Sequence, residues 1–263
     1  MALDSAHELG VSLRAAALLV PLTAARLLHM GAWRLSRMAL GAADAQIALR
    51  LTDWAYRRDR DHGTPAHLQR GLFAFESEAI QAHFPPPPAR LFVPGCGAGR
   101  ELLALVAQGY TVTGSEPSPK LLAEARRQLP DIALFAGGLA DVPAGLAPPY
   151  DAVLVGWGAW GHLPTATERI AALQLVRPLC PQGPVLVSWR LEAAPPLRKT
   201  AEVPGLQGTF SHRGLFQARI GRADIVREAK AADYKLVFYG PTGLHGYAHA
   251  VLRPRGTSEK ASS

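Results

Sequence analysis

From Arg90 onward, short apolar runs rich in β-branched and aromatic residues alternate with stretches whose apolar positions recur every three or four residues. Short apolar runs read as strands and the 3.6-residue period as helices, so the alternation predicts β-α units with helices on both faces of a mostly parallel sheet. Residues 91–93, 110–114, 132–135, 152–155 and 185–187 are the first five strands. The helices between them carry apolar stripes at Leu102, Leu105 and Val106, at Leu121, Leu122, Ala125 and Leu129, and at Ile170 and Leu173. Ser118 followed by Pro119 predicts an N-cap with a first-turn proline, and Thr165 with Glu168 predicts a capping box. Residues 193–221 show no regular period and read as irregular. Residues 223–232 then read as a helix, and 234–239 and 247–252 as a closing hairpin. The expected fold is α/β: a doubly wound, mostly parallel seven-stranded sheet with a terminal antiparallel hairpin.

Upstream the pattern changes. Residues 11–51 are rich in Ala, Leu and Arg with few β-branched residues, which favours two or three helices interrupted at Pro21. The most apolar stretch, 15–25, lies between Arg14 and Arg26 and is about half of the ~20 residues that cross a bilayer. Asp4 and Glu8 stand where a secretory signal would be positive, so the segment is expected to stay in the mature protein. This helical appendage, residues 1–84, reads either as a lid over the core or as a surface that docks on a membrane or protein partner through residues 11–51. Pro85 to Pro88 stiffen the chain into a spacer ahead of the main domain, 85–253, and a polar tail follows at 254–263.

Composition narrows the class. A chain of 263 residues, 48% hydrophobic and 19% charged, is globular and can bury a sizeable core. Two cysteines, Cys96 and Cys180, are too few for a disulfide framework or a zinc cage, so a reducing cytoplasmic setting and no metal are expected. The net charge of +7 comes from dispersed arginines rather than a basic run with interleaved aromatics, which reads as a solvated surface and not as a nucleic-acid footprint.

The candidate chemistry sits at a glycine turn, Gly95-Cys96-Gly97-Ala98-Gly99, between the first strand and its helix. Glycines there let backbone approach a ligand closely. A dinucleotide fingerprint would need Gly or Ala where Arg100 stands, and a P-loop would need Gly-Lys-Ser/Thr, so the ligand is not expected to be held by phosphates. Glu116 ends the second strand 21 positions after Gly95, where an open α/β sheet presents an acid to a ribose.

The stretches 91–99 and 112–119 resemble the first two motifs of class I S-adenosylmethionine-dependent methyltransferases, and Val93-Pro94-Gly95-Cys96-Gly97 resembles the wording of the thiopurine methyltransferase-like branch. Residues 150–155 and 179–187 are similar to the family's fourth and fifth strand motifs. The resemblance implies S-adenosylmethionine as cofactor, with its methionine moiety over Gly95, Cys96, Gly97 and Gly99, its ribose on Glu116, its adenine beside Pro117, and Gly156 closing the site. The family often places acids where this chain has Val93 and Gly138, so the resemblance leaves the adenine amine to Leu139 or Asp141. It implies methyl transfer to an O, N or S atom of a small-molecule acceptor. The glycine-rich loop after the fourth strand opens toward that acceptor, with Trp157 and Trp160 as walls and His162 as a general base. Trp54 is a further wall candidate, and His212 and Tyr56 are further catalytic candidates. The alternative is a non-catalytic, methyltransferase-like scaffold that docks on a membrane or protein complex through its N-terminal helices.

Overall fold

The computed structural model describes residues 38, 40–58, 61–141, 143, 145–191, 200–211, 213–242 and 246–256. Strands β1 (Arg90–Pro94), β2 (Thr111–Glu116), β3 (Ala133–Ala136), β4 (Ala152–Val155) and β5 (Val185–Arg190) are parallel. Next come β6 (Thr200–Val203), β7 (Gly208–Ser211) and β8 (Phe216–Ala218), which form a separate antiparallel sheet. Finally β9 (Tyr234–Thr242) and β10 (Tyr247–Pro254) complete the large sheet, with β10 antiparallel to both β5 and β9. The order β3-β2-β1-β4-β5-β10-β9 is the expected seven-stranded, mostly parallel arrangement with an antiparallel end.

The central strands read as unbroken apolar runs because both of their faces are covered. Leu91, Val93, Ala152 and Leu154 point into a layer with Ile80, Leu102, Leu105 and Leu122, whereas Phe92, Val153 and Val155 point into the opposite layer with Leu173, Val176, Ile225 and Ala229. The helices are α1 (Ala45–Arg57), α2 (Pro65–Leu68), α3 (Ala74–His83), α4 (Arg100–Ala107), α5 (Pro119–Gln128), α6 (Ala166–Val176) and α7 (Arg222–Ala231). Thr165 and Glu168 make the predicted capping box of α6. Arg169 on α6 meets Glu228 on α7 through two bonds of 2.8 and 2.6 Å, a buried bidentate pair that joins the two helices.

Two expectations need correction. The stretch 193–221 is not irregular throughout, since β6 to β8 lie within it. Strands of three or four residues are too short for an alternation to register, yet Phe210, Phe216 and Ala218 still turn into the core. Gly208 allows that close packing: a Cβ there would lie 2.2 Å from Phe216 Cζ. Ser118 stands at the N-cap of α5 with Pro119 in the first turn, as expected, but its side chain makes no capping bond, and its backbone N–H donates to the strand-end carboxylate of Glu116 at 2.9 Å.

Helix α1 starts at Asp44, whose side chain accepts the Ile47 N–H at 2.8 Å. It lies against α5 and β8, where the buried Thr52 Oγ1 accepts the Phe216 N–H at 3.1 Å. Arg213, beyond β7, pairs with Asp61 at 2.7 Å and repeats the link. Thr52→Val is nearly isosteric and strands the Phe216 N–H, which should loosen α1 by about 1–2 kcal/mol. Hydrogen exchange is expected to show α1 amides opening roughly 5- to 30-fold faster, with β1 to β5 unchanged. The expected docking segment 11–51 falls largely outside the described residues. Its described end, α1, packs on the domain. Among the described residues no helix is long and apolar enough to cross a membrane.

Candidate functional site

The strand order reverses between β1 and β4, and the crevice beyond the carboxyl ends of such strands is where open α/β sheets bind ligands. A cavity of about 320 Å³ opens there. Gly95, Gly97 and Gly99 all take left-handed conformations, with φ of +70°, +57° and +98°. They serve different ends. A Cβ on Gly97 would meet nothing within 4 Å, so that position leaves room for a ligand, whereas one on Gly99 would lie 3.1 Å from Leu129 Cδ1. Gly99 therefore fits α4 against α5 and is not among the cavity residues, a correction to its expected role.

Glu116 is 5% exposed and faces the glycine bend. Its Oε2 accepts the Gly97 N–H at 2.8 Å and its Oε1 the Ser118 N–H at 2.9 Å. Burial pushes its carboxyl up to about 7, against the lowering effect of those two bonds. Beside it Pro117, Gly138 and Leu139 line a slot toward β3, closed by Asp141, whose Oδ1 accepts the Gly138 N–H at 2.9 Å. Cys96 and Gly156 also line the cavity.

The other half of the cavity is roofed by residues upstream of β1: Leu49, Thr52, Asp53 and Tyr56 from α1, then His62 and His67. Tyr56 Oη lies 2.7 Å from His162 Nε2, and His162 Nδ1 lies 2.6 Å from the Phe216 carbonyl oxygen. A carbonyl only accepts, so Nδ1 carries the proton and Nε2 accepts the Tyr56 hydroxyl. Burial holds the imidazole down to about 4, which keeps it neutral.

Trp157 forms the wall between the halves. Its backbone φ of +33° is unusual for a bulky residue and is held by neighbours. Its N–H donates to Glu76 Oε1 at 3.1 Å, and the next N–H, of Gly158, donates to Ser188 Oγ at 2.9 Å. Its ring stacks on His67 at 4.6 Å and tilts against His62 at 5.1 Å. Below it, Arg100 is 1% exposed and bonds Glu76 through both carboxylate oxygens at 3.1 Å and Glu101 Oε1 at 2.6 Å. Burial pushes the Glu76 carboxyl up, and the neighbouring Glu101 charge adds to that.

The expected residues thus divide. Gly95, Cys96, Gly97, Glu116, Pro117, Leu139, Asp141, Gly156, Trp157, His162 and Tyr56 meet in one cavity. Trp160 and Trp54 do not. The short 3₁₀ turn Ala159–His162 rotates Trp160 into the core, where it is 1% exposed, and Trp54 lies on the outer side of α1 at 48% exposure beneath the Arg58 guanidinium. His212 lies outside the described residues. Glu76, Glu101, His62 and His67 were not singled out from the sequence. For His62 and His67, their spacing beside the aromatic pair Trp54 and Tyr56 was the available signal.

Residues 94–183 match the model of the family described as "Methyltransferase domain". A dTDP-3-amino-3,6-dideoxy-alpha-D-glucopyranose N,N-dimethyltransferase of Streptomyces fradiae is 32% identical over 171 residues, and the match spans 64% of this chain and 64% of that protein. Among solved structures, the Burkholderia thailandensis 1,6-didemethyltoxoflavin-N1-methyltransferase superposes with a TM-score of 0.58 at 19% identity, over 81% of this chain and 92% of that one. CalS10, an amino pentose methyltransferase from Micromonospora echinaspora, gives 0.53 at 22% identity, over 68% and 89%. The seven-stranded sheet is the fold of these solved methyltransferases, and residues 94–183, which match the methyltransferase domain model, hold both the glycine bend and the strand-end acid.

Proposed function

We propose that the protein transfers a methyl group from S-adenosylmethionine to an O, N or S atom of a small-molecule acceptor. The observation that carries this reading is one cavity that joins a glycine bend and a buried ribose-type acid to a tyrosine–histidine pair. The residues fit the cofactor. Gly97 leaves space where a side chain would stand, and two lone-pair sites of Glu116 remain for hydroxyl donors once its backbone bonds are counted. Ser118 Oγ, 1% exposed on the cavity wall, has no partner among the described residues. The bound cofactor supplies an electrophilic methyl carbon on a sulfonium.

The chain's own residues position the acceptor, exclude water and move a proton. An acceptor proton would pass to Tyr56 Oη as the Tyr56 hydroxyl proton passes to His162 Nε2, while the acceptor atom bonds the methyl carbon, whose bond to sulfur breaks to leave a neutral thioether. The Phe216 carbonyl fixes the imidazole for that exchange. Trp157, His62 and His67 offer aromatic faces to the acceptor. Among the described lining residues the guanidinium of Arg100 is engaged by Glu76 and Glu101, which favours an uncharged or amine-bearing acceptor over a nucleotide-linked one.

The test is calorimetric titration with S-adenosylmethionine and S-adenosylhomocysteine, in which micromolar binding is expected and a flat titration overturns the reading. With an acceptor drawn from a metabolite pool, Tyr56→Phe should slow turnover roughly 10-fold, below the span of a lost general base because His162 remains. Cofactor affinity should not change.

A further inference from the structure

Among the described residues, the charged cluster beside the cavity has more carboxylates than cations. Arg100 stands between Glu76 and Glu101, one guanidinium against two carboxylates, with all three almost fully buried. An uncompensated buried charge costs several kcal/mol unless a partner reaches it. Of the two acids, Glu101 lines the cavity and Glu76 does not, so a compensating cation reaches the cluster from the cavity side. The site is shaped for that contact. A Cβ on Gly156 would lie 2.5 Å from Glu101 Oε1, so the missing side chain at the end of β4 is what lets the carboxylate stand there.

Sheet order says which end of a ligand arrives. Glu116 ends β2, Gly95 follows β1 and Gly156 follows β4, about 10 Å from Glu116 at two strand spacings. The apolar slot of Pro117, Gly138 and Leu139 lies on the opposite side, toward β3. A ligand with its sugar on Glu116 and its base in that slot directs its remaining arm toward Glu101. We propose that Glu101 anchors the α-ammonium group of the S-adenosyl ligand, with Arg100 holding its carboxylate in place. This rests on the cofactor reading above and adds to it the residue that distinguishes ligands with the amino group from ligands without it.

The test compares S-adenosylhomocysteine with its deamino analogue, titrated calorimetrically into the full chain. The wild type is expected to prefer the amine by about 10- to 100-fold, the span of one hydrogen bond between charged groups. Glu101→Gln should bring that ratio to within about 3-fold while the deamino analogue binds as before. Glu76→Gln, which removes the same charge outside the cavity, should keep the preference. Equal weakening of both ligands in Glu101→Gln, or a wild type without preference, overturns the assignment. Glu101→Asp keeps a charge for Arg100 but draws it back from the cavity, and serves where the amide variant does not fold: a reduced preference supports the assignment and an unchanged one overturns it. A wild type that binds neither ligand overturns the cofactor reading, and this assignment with it.

Discussion

Glu116→Ala is expected to weaken S-adenosylhomocysteine binding by about 1,000-fold, measured by calorimetry at pH 8. Two losses combine. The ribose hydroxyls lose a charged acceptor, and the N–H groups of Gly97 and Ser118, now bonded to Glu116, lose theirs. Because burial places the Glu116 carboxyl at about 7, the apo protein holds a proton there below neutrality that ligand binding expels. Affinity in the wild type should therefore rise with pH up to about 7–8 and then level, and Glu116→Gln should remove that rise.

The same carboxyl leaves a mark on stability. Its folded pKa lies above the ordinary value of 4.5, so its contribution is full below pH 4.5 and is lost as pH rises through 7, by about 3 kcal/mol. His162 has the opposite sign: its folded value of about 4 lies below 6.5, so its contribution is present above pH 6.5 and is lost as pH falls through 4. The two oppose each other between pH 4.5 and 6.5. Relative to wild type, Glu116→Gln should gain stability with rising pH across that window, as followed by urea unfolding midpoints. A parallel pH course in the two proteins would show that Glu116 is not held protonated.

Much of the site was legible because its chemistry is local in sequence. A glycine turn between a strand and a helix, and an acid at the end of the next strand, need only the strand order to meet, and parallel β-α units leave little choice in that order. The roof was less legible. Tyr56 and His162 are 106 positions apart, and their bond depends on β8 supplying the Phe216 carbonyl and N–H that fix both His162 and α1. Those strands are too short to declare a period. The charged cluster was hidden for another reason: the helix of Glu76 has no strong apolar stripe to mark the acid as buried, and Arg100 was informative only as a mismatch to a dinucleotide fingerprint. Burial, which sequence spacing does not report, is what turns the pair into a structural element. Trp54 and Trp160 erred in the same way, since residue type suggested a wall and helix phase decided otherwise.

That cluster carries the largest expected loss of stability. Arg100→Met replaces the guanidinium with a flexible side chain of similar reach and leaves Glu76 and Glu101 facing each other in a buried site. Breaking a buried pair by removing one partner typically costs about 3–5 kcal/mol, because the remaining charge keeps its desolvation penalty. Here two like charges remain, and the cation that also lies 4.4 Å over Phe73 and 5.2 Å from Trp157 is lost. Glu76 is already pushed up by burial, so in the variant its pKa should climb further and the protein should regain stability on acidification from pH 8 to pH 5.5. Adding Glu76→Gln should restore part of the loss at pH 8 by removing the repulsion. It should not restore acceptor turnover, because an amide holds the Trp157 N–H less firmly than the carboxylate does and the strained wall relaxes. Denaturant titration of the single and double variants at both pH values separates the two effects: an Arg100→Met protein as stable as wild type at pH 8 would mean that the two acids do not share one buried charge balance.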